Sequence, residues 1–65
     1  MNIKPIREEA GMTQTALAEK IGVSQQAVSF WETGERYPRT ADLPRIADAL
    51  GVSIDELVRG KEDTT

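Results

Sequence analysis

The side chains in this chain that could do chemistry are amides, hydroxyls and guanidinium groups rather than nucleophiles. The 65 residues contain no histidine and no cysteine. That removes the usual acid–base and thiol catalysts, and with them disulfides and the common zinc sites. No Gly-rich phosphate loop is present either. The adjacent acids Asp55 and Glu56 are what the dipole of a helix N-terminus favours, without any metal. What remains is a hydrogen-bonding set: Ser24, Gln25 and Gln26 in a row, Ser29 one turn further, then Arg36 and Arg39. A glutamine amide holds a donor beside an acceptor and can pair bidentately with N6 and N7 of adenine, whereas arginine suits phosphate oxygens. The same glutamines are also ordinary on a solvated helix face, so their setting has to decide. No catalytic residue, metal, cofactor or small-molecule ligand is expected.

Composition bounds the setting. A chain this short holds one domain with one core, which buries roughly 60% of the unfolded surface and so depends on tight packing. The formal charge of −3 and pI near 4.8 run against a polyanionic partner, since phosphate contact needs cations. Net charge says nothing, however, about which face the cations occupy. No apolar run approaches the ~20 residues needed to span a bilayer. Residues 1–10 are charged and lack the apolar stretch of a signal peptide. The expectation is a cytoplasmic protein with no membrane contact.

The elements that must position the hydrogen-bonding set are helices. Ile3, Ile6 and Ala10 lie at helical spacing before Gly11, which predicts a first helix over roughly residues 2–10. Three later helix starts share one device, a capping hydroxyl with an apolar residue before it and another four positions after it. Thr13 lies between Met12 and Leu17, Ser24 between Val23 and Val28, and Ser53 between Val52 and Leu57. Each cap can satisfy an orphan amide while the flanking pair staples the entry angle, and Glu56 completes a capping box with Ser53. Gly22, Gly34 and Gly51 stand where helices should stop in a left-handed residue. Residues 34–39 read as a loop. A fourth helix is predicted over about residues 41–50, burying Leu43, Ile46, Ala47 and Leu50, with Pro44 tolerable in its first turn. A short fifth helix follows over about residues 54–59. Residues 1–60 therefore form an all-α, compact five-helix bundle, and residues 61–65 a disordered tail.

The central stretch, QTALAEKIGVSQQAVSFWE over residues 14–32, reads as two helices crossing steeply. The link Gly22-Val23-Ser24 is too short for antiparallel packing. Leu17, Ala18 and Ile21 would be buried from one helix, Val28 and Trp31 from the other, with Ala18 small where the helices cross. The stretch, continued as TGERYP and then LPRIADALGVSIDELV, resembles the helix-turn-helix of the phage repressor and Cro family, also called xenobiotic-response-element-like. The likeness covers about residues 3–58. It implies a lambda-repressor-like DNA-binding fold, with the third helix laid in the major groove of double-stranded DNA.

Carried over residue by residue, the resemblance assigns base reading to Gln25, Gln26 and Ser29. Phosphate contact falls to Gln14 and Ser24 at the helix starts and to Thr33, Arg36 and Arg39 after the third helix. Arg7 and Glu32 match a pair that bridges the first and third helices, fixing the angle of the reading helix and offering the arginine to a phosphate. Such proteins act as transcriptional regulators, here a repressor by occupancy, and as homodimers on palindromic operators. The dimer surface is expected at the fifth helix, through an exposed Leu57 or Val58. Two residues depart from the pattern. Phe30 stands where many relatives carry a polar or basic groove residue, which points to a thymine methyl or to a partner protein. Glu35 stands where lysine is common and weakens the positive field. About 3–4 phosphate contacts per subunit are expected, for a log–log salt slope near −3 to −4. The acidic balance, Phe30 and Glu35 also motivate a rival: an interaction module or antitoxin-type partner that keeps the bundle with weak or no DNA binding.

Overall fold

A computed structural model describes residues 1–59; the tail expected at residues 61–65 lies outside the described residues. Five helices occur in order: α1 (Ile3–Glu9), α2 (Gln14–Ile21), α3 (Gln25–Thr33), α4 (Leu43–Leu50) and α5 (Ile54–Arg59). A 3-10 turn, Thr40–Asp42, leads into α4. Every regular element among the described residues is helical.

The predicted local devices are in place. The Thr13 hydroxyl accepts from the Ala16 amide at 3.0 Å, and the Ser24 hydroxyl from the Ala27 amide at 3.1 Å. At α5 the capping box is complete: Ser53 Oγ accepts from the Glu56 amide at 3.0 Å, and the Ser53 amide donates to Glu56 Oε1 at 3.3 Å. Gly22 ends α2 at φ +90°, a conformation an L side chain adopts only at a cost. Only Gly22, Val23 and Ser24 separate α2 from α3. Pro44 sits in the first turn of α4, where its missing amide would have had no partner in any case.

The core is built by Ile3 and Ile6 of α1, Leu17, Ala18 and Ile21 of α2, Val28 and Trp31 of α3, four residues of α4, and Leu57 of α5. Leu17, Ile46 and Leu57 are wholly buried; truncating any of them to alanine should cost about 2–5 kcal/mol. The buried set of α4 differs from expectation. It is Ile46, Ala47, Ala49 and Leu50, while Leu43 is only half-buried and packs at the rim of the core. The reason is tertiary: α4 is contacted by α2 and by α5, so its covered arc is wider than a one-sided pattern predicts.

Helix five also resolves an open choice. Leu57 turns into the core, whereas Ile54 and Val58, one turn apart on α5, remain 42% and 48% exposed. The chain start is tied to the same helix. Asn2 donates from its backbone amide to the Leu57 carbonyl at 3.0 Å and from Nδ2 to the Val58 carbonyl at 3.3 Å. These bonds occupy carbonyls that the end of a helix leaves without intrahelical partners.

Candidate nucleic-acid interface

Helix α3 presents its N-terminal turn to solvent and its opposite face to the core. Val28 and Trp31 are buried, Gln25 and Gln26 are exposed, and Ser29 and Phe30 are half-buried between these two sides. Ser24 caps the helix through its hydroxyl oxygen, which leaves the hydroxyl proton available to an external acceptor.

A continuous chain of side-chain hydrogen bonds backs Gln25. Its Nε2 donates to Gln14 Oε1 at 2.5 Å. Gln14 Nε2 in turn donates to Glu32 Oε1 at 2.9 Å. Glu32 accepts from Arg7 at both carboxylate oxygens, Nε to Oε2 at 2.6 Å and Nη2 to Oε1 at 3.1 Å, the bidentate fork that a guanidinium and a carboxylate favour. Arg7 Nη1 closes the chain on the Met12 carbonyl at 2.7 Å. Residues from α1, α2 and α3 are thereby fixed to one another.

The electrostatics follow from burial. Arg7 is 8% exposed and the Glu32 side chain 3%, so neither charge has water to fall back on. Burial pushes the Glu32 carboxyl upward, but hydrogen bonds from Arg7 and Gln14, with the charges of Arg7 and Lys4, outweigh it and hold the carboxyl below its ordinary value. For Arg7 the hydrogen bond to Glu32 raises the pKa against an opposing burial effect. Arg7 therefore serves as a buried strut. Three of its five donors are spent inside the fold.

Gln14 is half-buried and its amide works mainly inward. One amide proton goes to Glu32 and the oxygen accepts from Gln25, leaving one N–H for an outside acceptor. Gln25 has spent one N–H and retains the other together with its carbonyl oxygen, the pair that bidentate contact with adenine requires.

The far margin of α3 is built differently. Ser24, Gln26 and Phe30 on the helix and Arg36, Tyr37 and Arg39 beyond it line an open groove. Arg36 and Arg39 are exposed. The Arg36 guanidinium lies over the Phe30 ring, 5.2 Å from its centroid, within the range of a cation–π contact. Sequence reasoning placed both residues but missed this pairing, because it depends on how the chain folds back after Gly34. Thr33 stands apart from the groove set. Its hydroxyl lies 3.2 Å from the Phe30 carbonyl and 3.2 Å from Glu35 Oε2, so a negative charge sits beside it.

Comparison with known proteins agrees with this geometry. Residues 3–57 match the helix-turn-helix family. The chain is 40% identical over 60 residues to the HTH-type transcriptional activator BcrR of Enterococcus faecalis, covering 92% of this chain and 29% of BcrR. It is 43% identical over 51 residues to the cryptic phage CTXphi transcriptional repressor RstR of Vibrio cholerae, covering 78% of this chain and 46% of RstR. The chain thus spans less than half the length of either relative. The crystal structure of the P22 c2 repressor in complex with a synthetic operator superposes with a TM-score of 0.83 at 36% identity, covering 91% of this chain and 89% of that one. No helix among the described residues is long and apolar enough to cross a membrane. The chain belongs to the helix-turn-helix family.

Proposed function

We propose that this chain is the DNA-reading domain of a transcriptional regulator, acting at the nucleoid or on phage DNA by occupying an operator rather than by catalysis. The observation that carries the reading is the state of Gln25. Its side chain is exposed at the start of α3, tied from behind to Gln14, and left with one donor and one acceptor for a base edge. Gln26 and Ser29 complete the base-reading set. Ser24, Gln14, Thr33, Arg36 and Arg39 serve the phosphates, which fix register without specifying sequence. The repressor that the P22 structure shows on its operator shares the fold at 36% identity, which supports the same partner, double-stranded DNA, for this chain. A homodimer on a two-fold operator would use the face of α5 that carries Ile54 and Val58. Both an activator and a repressor stand among the relatives; the repressor reading rests on the P22 likeness.

The test is selection of binding sites from a randomised duplex pool at low salt, run beside a Gln25→Ala/Gln26→Ala variant. The expected result is an enriched palindrome with half-sites about one helical turn apart. The variant, still folded, loses at least about 1–3 kcal/mol of specific binding. A folded wild-type protein that enriches nothing would overturn the DNA reading in favour of an interaction module.

A further inference from the structure

We infer that Phe30 is a specificity-determining residue of this interface, reading the 5-methyl group of a thymine beside the base contacted by Gln26. The inference rests on the DNA reading proposed above. Phe30 follows Gln26 by four positions, so the two are neighbours on one face of α3, and both line the same open groove. The ring is half-buried rather than sequestered. It therefore shows hydrocarbon to whatever fills the groove, and the apolar group that a duplex displays on its major-groove base edges is the thymine methyl.

The groove's own chemistry favours a duplex over an apolar protein anchor. Arg36 and Arg39 both line it, and the Arg36 guanidinium lies over the ring. A protein side chain entering here would have to displace or desolvate that cation, whereas a phosphate strand passing the groove gains from it. The same cation occupies one face of the ring, so Phe30 does not offer that face for stacking on an unpaired base. In the other direction, the ring gives the long Arg36 side chain a surface to lie on, and so holds its charge at the groove edge where a strand would pass. One residue then does two things: it discriminates thymine from cytosine or uracil, and it positions a phosphate-contacting arginine.

The experiment starts from the half-site selected above and replaces each thymine in turn by deoxyuridine, which lacks only the methyl group. Wild-type protein should lose about fourfold in affinity at one thymine, one methyl's worth of apolar burial. In Phe30→Ala that loss should vanish, because the variant no longer distinguishes the two bases at that position. Phe30→Gln, which keeps side-chain length and helix propensity, guards against loss of fold in the alanine variant and should likewise be blind to the methyl. Both variants are checked for native helicity by circular dichroism. A methyl penalty that persists in a folded Phe30 variant overturns the assignment, as does a selected site at which no uracil substitution matters. Selection that yields no site at all overturns the DNA reading itself and this inference with it, so the two failures are told apart.

Discussion

The two margins of α3 are held by opposite means. At its start, Gln25 ends a chain of hydrogen bonds that runs through Gln14 and Glu32 to the buried Arg7. Along its other side, Ser24, Gln26 and Phe30 with Arg36, Tyr37 and Arg39 line an open groove where the cations are exposed. The first margin spends its charges inside the fold to fix the direction of one amide. The second keeps its charges in water, where they remain free to meet phosphates and lose strength as salt rises. Under the proposed DNA reading, the first margin would supply a preorganised base reader and the second adaptable phosphate contacts, since geometry must be tight for bases and only approximate for charge.

The comparison breaks hardest at Arg7. Arg7→Ala leaves the Glu32 carboxylate buried without its partner and should cost about 3–5 kcal/mol in urea or thermal unfolding, a large part of what so small a domain has. Arg36→Ala should leave the same melt within about 0.5 kcal/mol. Equal effects at the two arginines would erase the distinction between the margins.

The pH dependence of stability sharpens it further. Glu32 titrates below its ordinary value in the folded protein. As pH falls past the unfolded carboxylate's pKa of about 4.3, the unfolded chain takes up the proton first. Stability is therefore complete above that pH and is lost as pH falls through the folded pKa. Glu32→Gln should abolish this component in acid unfolding curves, which would otherwise be assigned to the surface acids. Arg7 remains charged throughout the accessible range.

Gln14→Ala is a subtler cut. It removes one hydrogen bond to a buried carboxylate and so costs about 1.5–3 kcal/mol of stability. It also releases Gln25, so discrimination for the base read by Gln25 should weaken as well, measured as the affinity ratio between the selected site and its single-base variants. An unchanged ratio would mean that the tie to Gln14 does not orient the reader.

The smallest energetic effect comes from the loop. Arg36→Ala and Arg39→Ala should each flatten the log–log salt slope of binding by about 1 while weakening all duplexes nearly equally. A loss confined to one sequence would move that arginine from the phosphate set to the base-reading set.

Much of the scaffold was legible in the sequence because its signals are local. A capping hydroxyl, the amide three residues on and the stapling pair around them lie within one helical turn, so Thr13, Ser24 and Ser53 announce their helices wherever the chain goes next. The left-handed glycines and the 3.6-residue spacing of Leu17, Ala18 and Ile21 are of the same kind. That Ala49 rather than Leu43 would be buried on α4, and which of Leu57 and Val58 would be exposed on α5, was not legible. Period alone gives the direction of an apolar face, but the width of what covers it is set by the neighbouring helices.

The sequence by itself thus determined the helices, their order, the left-handed turn at Gly22 and the residue types available for recognition. Only the tertiary structure decided that Gln14 would stand between Glu32 and Gln25, that Arg7 would be buried beneath them, that Asn2 would bind the end of α5 and that Arg36 would lie on Phe30. Each of these contacts joins residues from different elements. Such contacts depend on docking angles, which arise from the packing of all five helices together and leave no trace in the spacing of any one of them.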